Sequence, residues 1–176
     1  MKSKLLIIVI SLIVIIFLIF TYFNISSGSS FVDNGTSLDN NNNWINNNLN
    51  VTRNNNFTTL SSNSNFSAWY SSDYTIYNDC IIEWVNYGNE SHHDYCLISN
   101  KNKTADTPLN FDNLNITRNC HVKLVIKNNV ITPYVDGNMK EPIKLETDSK
   151  DGMSFRFQIN SNGSDICYSN FKIENA

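Results

Sequence analysis

The chain has 176 residues, with 13 Lys plus Arg against 16 Asp plus Glu and a formal net charge of -3. This length allows one modest domain with an appended segment, and the charge balance argues against a basic nucleic-acid-binding protein. Charged residues make up 16% of the chain, below the usual share of about a quarter, and Asn occupies 31 positions. Such a surface is polar without being strongly charged, which suits an exported protein that meets neutral ligands.

The amino terminus carries a long apolar segment. Lys2 and Lys4 precede the apolar residues of Leu5–Phe23, a stretch whose length as a helix roughly matches a bilayer core of about 30 Å. Residues 1–23 are therefore predicted to form a signal-anchor transmembrane helix. The positive-inside rule leaves the amino end in the cytoplasm, so the chain is expected in the cell membrane, single-pass, with its C-terminal part extracytoplasmic. Cleavage near the small residues of Ser27–Ser29 would instead release a secreted product.

Residues 24–43 are rich in Ser, Gly, Asn and Asp and contain few apolar side chains. This composition cannot bury enough surface to order itself, so it predicts a flexible stalk. Apolar residues return at Trp44 and Ile45, and the folded domain is predicted to span residues 44–176.

Nine Asn-x-Ser/Thr triplets lie on the side predicted to be outside. Two of them, at Asn24 and Asn34, fall in the predicted stalk. The glycosylation candidates of the predicted domain are Asn50, Asn56, Asn65, Asn89, Asn102, Asn115 and Asn162. Export to a glycosylating compartment would explain them. A chain so rich in Asn, Ser and Thr also forms such triplets by chance.

Four cysteines, all in the predicted exported part, form the even number typical of disulfides. They are Cys80, Cys96, Cys120 and Cys167, which allow three connectivities for two bridges. Zinc sites usually draw on close ligand pairs, which these wide spacings lack, so no metal site is predicted.

Short runs of β-branched and aromatic residues recur between Asn, Gly and Asp breakers, and no long helical period is present. The domain is therefore predicted to be all-β, a sandwich of many short strands. The predicted strands are Leu49–Thr52, Phe57–Ser61, Asn65–Tyr70, Tyr77–Asn86, Tyr95–Ser99, Asn115–Asn119, His121–Lys127, Val130–Asp136, Met153–Ile159 and Ile166–Glu174.

Alternation of apolar and polar residues predicts which side chains are buried. Val122, Leu124 and Ile126 share one face of their strand, and Cys80, Ile82 and Trp84 are expected to face the same core. Two tight turns are predicted at Asn128–Asn129 and Asp136–Gly137, because Asn, Asp and Gly tolerate positive φ. The segment Lys123–Gly137 is thus predicted to contain a β-hairpin.

This hairpin, KLVIKNNVITPYVDG, is followed by GMSFRFQ at Gly152–Gln158 and ICYSNFKIEN at Ile166–Asn175. Together with DCIIEWV at Asp79–Val85, these stretches resemble the concanavalin A-like, laminin G-like jelly rolls of lectins and glucanases. The resemblance covers roughly residues 44–175 and implies a jelly-roll β-sandwich.

The residues do not indicate an enzyme. Hydrolases of this fold place paired carboxylates on one strand face, whereas Glu83 has Val85 at the partner position. The cluster NESHHD, with Glu90, His92 and His93, is better explained as a polar loop than as acid-base or metal chemistry.

The polar and aromatic residues indicate a binding module, because sugar rings stack on aromatic planes while amide and carboxyl groups bind their hydroxyls. Outward-facing residues on neighbouring strands give the candidate ligand face, which comprises Glu83, Tyr87, Tyr134, Arg156 and Gln158. Trp69 and Tyr70 offer a second aromatic platform, although a Trp in a lean sandwich is more often a core residue. No cofactor is expected; calcium, found in some laminin G-like domains, would have Asp112 and Asp136 as its candidate ligands.

The sequence therefore predicts a non-catalytic, membrane-anchored module that recognises carbohydrate or a surface protein in adhesion or envelope interaction. The alternatives are a structural or protein-recognition module of the same fold and a small polysaccharide-active hydrolase.

Overall fold

The computed structural model describes Ile15 and residues 30–35, 44–63, 67–77, 79–88, 94–100, 105–146, 152–160 and 165–175. Within them, the fold consists of fourteen strands and one short helix. The elements are β1 (Phe31–Asp33), β2 (Trp44–Asn47), β3 (Asn50–Arg53), β4 (Thr58–Ser61), β5 (Ala68–Ser72), β6 (Cys80–Asn86), β7 (Asp94–Asn100), β8 (Asp106–Asn110), α1 (Phe111–Leu114), β9 (Cys120–Lys127), β10 (Val130–Val135), β11 (Asn138–Met139), β12 (Ile143–Lys144), β13 (Met153–Ile159) and β14 (Asp165–Asn175).

The strands form two antiparallel sheets, which confirms the predicted all-β sandwich. The nine-stranded sheet has the order β11-β10-β9-β6-β14-β4-β3, with β1 paired to β14 and β12 paired to β10. The five-stranded sheet has the order β2-β5-β13-β7-β8. Most neighbouring strands within each sheet are distant in sequence, so each sheet is held together by pairing between distant segments of the chain.

Aromatic side chains from both sheets fill the space between them. Trp84 of the nine-stranded sheet lies with its ring centroid 5.6 Å from those of Phe155 and Phe157, which belong to β13 of the five-stranded sheet. Cys80, Ile82, Trp84, Val122, Leu124 and Ile126 are all buried, as the alternation predicted. The core therefore lies between the two inner sheet faces, and the alternate residues of each strand point outward.

The predicted hairpin is confirmed. Asn128 and Asn129 have φ of 51° and 62°, and Asp136 and Gly137 have φ of 50° and 78°. Two consecutive left-handed residues define the primed turns whose twist matches paired strands.

The predicted strand Asn115–Asn119 is wrong. Helix α1 ends at Leu114, and both Asn115 and Asn119 adopt the left-handed conformation, with φ of 55° and 63°. The backbone N–H of Asn115 bonds to Asp112 O at 2.9 Å. These left-handed residues close the helix and turn the chain into β9, so the segment cannot extend as a strand.

The predicted beginning of the domain at Trp44 is too late. Strand β1 pairs with β14 in the register Phe31↔Ile173 and Asp33↔Phe171, and Phe31 and Asp33 are both buried. Part of the segment predicted as a stalk is thus a strand of the sandwich.

The predicted anchor, residues 1–23, lies outside the described residues apart from Ile15. Within the described part of the chain, no helix has the length and apolar character needed to span a bilayer.

A fully buried carboxylate, that of Asp33, joins elements of both sheets. Its Oδ1 accepts hydrogen bonds from Gly35 N–H at 2.8 Å and Arg53 Nη1 at 2.9 Å. Its Oδ2 accepts from Trp44 Nε1 at 2.6 Å, Tyr168 Oη at 2.8 Å and Arg53 Nη2 at 3.0 Å. Burial raises the pKa of this carboxyl, but the hydrogen bonds from Arg53, Gly35 and Tyr168 outweigh burial and hold the pKa below its ordinary value.

The structure has all four cysteines unpaired and buried, which corrects the predicted disulfides. Cys80 lies opposite Ile126, six residues along β9 from Cys120, a separation of about 20 Å. Cys96 belongs to the other sheet. Cys167 and Cys120 lie on β14 and β9, which are separated by β6, whereas a disulfide needs Cα atoms within about 7 Å.

We expect Asp33→Asn to lower the free energy of unfolding by about 3–5 kcal/mol, because it leaves the mostly buried guanidinium of Arg53, 17% exposed, without its counter-ion. The same substitution at the exposed Asp73 is the control.

Because the pKa of Asp33 is lowered in the folded state, its stabilisation is complete above the unfolded value of about 3.9 and is lost as the pH falls through the folded pKa. Urea unfolding between neutral pH and pH of about 3 should show a smaller loss of stability for Asp33→Asn than for the wild type. Equal pH dependence in the two proteins would contradict this role.

We expect all four thiols to be unreactive in the native protein and to titrate fully once the chain is denatured without reductant. Burial raises the pKa of the Cys80 thiol to about 12 and also raises the pKa of Cys96, Cys120 and Cys167, which removes the reactive thiolate. Thiol titration with and without denaturant measures both states. Fewer than four thiols in denaturant would restore the disulfide prediction.

Candidate functional site

The outer face of the five-stranded sheet carries a group of aromatic and polar side chains. Strand β13 lies in the middle of this sheet, between β5 and β7. Because Phe155 and Phe157 face the core, Arg156 and Gln158 point outward. Gln158 is paired with Trp69 of β5 on one side and with Tyr95 of β7 on the other. The surface formed by Trp69, Tyr95, Asp106, Arg156, Gln158 and Asn160 is called the Trp69 face below.

The Trp69 ring is half-buried and lies beside an ion pair. The Arg156 guanidinium carbon is 5.9 Å from the centroid of the Trp69 ring, within the range of a cation-π contact. Arg156 Nη2 also donates to Asp106 Oδ2 at 2.5 Å. Because Asp106 belongs to β8, the Arg156 side chain crosses over β7, where the outward-facing Leu97 and Ser99 are buried. The ion pair thus forms a polar layer on the sheet next to an aromatic plane.

A second polar group surrounds Gln158. Its Nε2 lies 2.6 Å from Ser67 Oγ, 2.7 Å from Tyr95 Oη and 3.0 Å from Asn160 Oδ1. Asn160 Nδ2 donates to the same Tyr95 oxygen at 2.6 Å. Since Tyr95 Oη accepts from two amides, its own hydrogen is directed away from them. Gln158 Oε1 has no hydrogen bond among the described residues, so within that part of the chain the network leaves one donor and one acceptor without a partner.

An open depression lies at the turn between β2 and β3, at the edge of the five-stranded sheet. Asn47 is paired with Trp69 across β2 and β5, and the turn that follows Asn47 forms one wall. The depression has a volume of about 510 Å³ and is lined by Asn48, Leu49, Asn50 and Asn63. Its side-chain polar groups are uncharged amides.

The five predicted ligand residues do not form one face. Arg156 and Gln158 belong to the Trp69 face, whereas Glu83 and Tyr134 point outward from the nine-stranded sheet on the opposite side of the sandwich. Tyr87 lies just after β6, where its ring stacks on Phe57 with centroids 5.6 Å apart. Alternation along a strand predicts which residues point outward but not from which sheet, and this is why the prediction merged two surfaces.

Glu83 is held in an ion-pair cluster. Its carboxylate lies 3.1 Å from Lys123 Nζ, 3.2 Å from Lys172 Nζ and 3.8 Å from His121 Nε2. Partial burial raises the pKa of Glu83, but hydrogen bonds from Lys123 and Lys172 outweigh it and lower the pKa below its ordinary value. A carboxyl held in its charged form at neutral pH is not suited to donate a proton.

Trp69 and Tyr70 point in opposite directions. Tyr70 is buried and stacks on Trp44 with ring centroids 4.6 Å apart and an interplanar angle of 7°. Trp69 therefore faces outward as a ligand platform would, although the sequence favoured a core position for it.

The candidate metal ligands do not come together in the described part of the chain, where no group of three His, Cys, Asp or Glu side chains could hold an ion. Asp136 Oδ1 accepts a hydrogen bond from His121 N–H at 2.8 Å, so its carboxylate stabilises the turn that contains it. Asp112 lies in α1. Glu90, His92 and His93 lie outside the described residues.

The described glycosylation candidates Asn50, Asn56 and Asn115, together with Asn34, are exposed. The candidates Asn65, Asn89, Asn102 and Asn162 lie outside the described residues.

Sequence reasoning missed Tyr95, Asn160 and Asp106. Each comes next to Gln158 or Arg156 through the chain order or through the pairing of β13 with β7 and of β7 with β8. Strand β13 is far in sequence from β7 and β8, so no local pattern could have shown that Tyr95 and Asp106 meet it, whereas Asn160, two residues after Gln158, continues the polar alternation of β13. The polar alternation of Ser154, Arg156 and Gln158 was the one available signal.

No protein-family model and no curated protein sequence matches the chain. Solved structures do. The carbohydrate recognition domain of Emp47p is 11% identical, with 86% of this chain and 98% of that chain covered and a TM-score of 0.56. The carbohydrate-binding module CBM66 from Bacillus subtilis is 10% identical, with coverages of 77% and 98% and a TM-score of 0.54. The β-glucanase of Bacillus licheniformis is 12% identical, with coverages of 86% and 100% and a TM-score of 0.53. At these identities the likeness shows a shared fold, and the chain adopts the concanavalin A-like jelly roll that its sequence predicted.

Proposed function

We propose that the chain is a non-catalytic carbohydrate-binding module whose ligand lies on the Trp69 face. The observation that carries the proposal is the Gln158 network beside Trp69. Among the described residues it leaves one donor, the Tyr95 hydroxyl, and one acceptor, Gln158 Oε1, without a partner next to a half-buried aromatic ring. A sugar presents the complementary groups, since its hydroxyls both donate and accept and its C–H faces are apolar.

The network is fixed before a ligand arrives. Gln158 contacts three oxygens, and Asn160 and Tyr95 are bonded to each other. Binding a hydroxyl here therefore requires little ordering of side chains, which lowers the entropic cost of association. The amide-lined depression after Asn47, which is paired with Trp69, adds uncharged polar groups at the edge of the same sheet.

The names of the structural neighbours support a carbohydrate ligand but not the absence of catalysis, because they include two binding domains and a glucanase. Support for a non-catalytic role comes from the carboxylates. Glu83 is paired with two lysines, and Asp106 is engaged by Arg156. Neither has the unpaired, proton-donating character that hydrolysis of a glycosidic bond needs.

We further propose that the amino-terminal apolar segment holds the chain at the cell membrane and that the sandwich acts on the extracytoplasmic side, in adhesion or envelope interaction. This part of the proposal rests on the sequence of residues 1–23. Protease accessibility of the sandwich on intact cells would test it, since a protected sandwich would contradict the orientation.

We expect Trp69→Ala to weaken glycan binding at least about tenfold, because a stacked aromatic plane contributes roughly 0.5–1.5 kcal/mol beyond its buried area. Tyr134→Ala is the matched control, as it removes an aromatic from the outer face of the opposite sheet. A glycan array followed by calorimetry on the full chain, in a detergent without a sugar headgroup, measures both. Loss of binding in Tyr134→Ala alone would place the site on the nine-stranded sheet. No binding by a folded wild type would favour protein recognition.

We expect Gln158→Leu, which keeps the side-chain volume but removes the amide, to weaken binding by about two- to tenfold, the range for one or two neutral hydrogen bonds. Gln158→Glu keeps an acceptor at this position and should retain more affinity than Gln158→Leu. The same calorimetric titrations compare the two. If Gln158→Leu binds as tightly as the wild type, the network does not contact the ligand.

A further inference from the structure

The Trp69 face carries very few charges. Along the outward-facing positions that the structure describes in the five-stranded sheet, Arg156 and Asp106 are the charged residues, and they are bonded to each other. The remaining polar groups are the neutral side chains of Ser, Asn, Gln and Tyr. Among the described residues of the face, this ion pair is therefore the source of charge.

The two partners of the pair are not equally accessible. The Arg156 side chain is 12% exposed, whereas that of Asp106 is 37% exposed. Arg156 contacts Trp69 and lies over the buried Leu97 and Ser99 of β7. A ligand approaching the face thus meets the carboxylate of Asp106 more readily than the guanidinium behind it.

We infer that Asp106 is a specificity-determining residue: by occupying the guanidinium of Arg156, it makes the Trp69 face select uncharged sugars and reject carboxylated ones. This inference rests on the proposed function. An acidic sugar stacked on Trp69 would have to lie near the exposed carboxylate of Asp106 or displace it, and either step is opposed by repulsion between like charges. The net charge of -3 for the chain adds to that repulsion at longer range.

The same geometry shows what the face would bind without the carboxylate. Arg156 Nε is buried and has no hydrogen-bond partner among the described residues, and Nη2 is the atom that bonds Asp106. Once the carboxylate is removed, Nη2 becomes a free donor on a guanidinium near an aromatic ring, while Nε stays buried. A charged donor of this kind suits a charge-assisted hydrogen bond to a carboxylate.

The test measures the full chain and its Asp106→Asn and Asp106→Ala variants against neutral and carboxylated glycans. An array carrying both classes identifies the best neutral ligand, and calorimetry then compares that ligand with its uronic acid counterpart. We expect the wild type to prefer the neutral sugar at least about tenfold, the effect of one nearby like charge at the protein surface. Asp106→Ala should reverse or abolish this preference by gaining affinity for the acidic sugar.

Two controls separate the possible causes. Glu141→Gln removes one negative charge from an exposed loop on the other sheet, so an equal gain in this variant would show an effect of net charge alone. Asp106→Glu keeps a carboxylate at this position and should therefore still reject the acidic sugar. Circular dichroism checks that each variant is folded.

The outcomes also distinguish this inference from the proposed function. If the wild type binds neutral glycans and Asp106→Ala leaves the preference unchanged, the inference is overturned and the carbohydrate-binding function stands. A wild type that binds acidic sugars more tightly than neutral ones likewise overturns it. If neither glycan class binds to the folded protein, the proposed function itself fails.

Discussion

The buried carboxylate of Asp33 links the two sheets through hydrogen bonds. It accepts five hydrogen bonds, from Gly35, Arg53, Trp44 and Tyr168, and it is fully buried. A charge in this position is tolerated only when every lone pair is used, so each donor must be delivered to its place by its own strand. The network therefore fixes β1, β2, β3 and β14 relative to one another and links a nine-stranded sheet to a five-stranded one.

This constraint reaches the outer surface through the register of β5. Trp44 is bonded to Asp33 and stacks on Tyr70, which also lies 3.4 Å from Arg53 Nη2. With Tyr70 held toward the core, the alternation of the strand leaves Trp69 facing outward. A slip of one residue would turn Trp69 into the core and Tyr70 onto the surface. The buried ion pair thus determines which aromatic residue the Trp69 face presents.

Local pattern predicted the parts of the fold that local residues decide. The alternation along His121–Lys127 and the left-handed tolerance of Asn128 and Asn129 are properties of a few adjacent residues, and both predictions are confirmed. Asp33 could not be predicted as a buried residue, because a lone Asp in a polar segment is typical of a linker. Only the tertiary structure brings Arg53 and Tyr168 into contact with it. The pairing of Gln158 with Tyr95 could not be predicted either, because only the assembled sheet places β13 beside β7.

The two outer faces differ in how their charges are arranged, and this difference favours one of them as a ligand surface. On the nine-stranded sheet, Glu83 is surrounded by Lys123, Lys172 and His121, so charged groups are satisfied by one another and a neutral ligand would have to disrupt them. On the five-stranded sheet, the neutral groups of Gln158 and Tyr95 are fixed, yet one acceptor and one donor have no partner within the part of the chain that the structure describes. Recognition of an uncharged polyol requires such preorganised and unfilled hydrogen-bonding groups, and the Trp69 face supplies them next to an apolar plane.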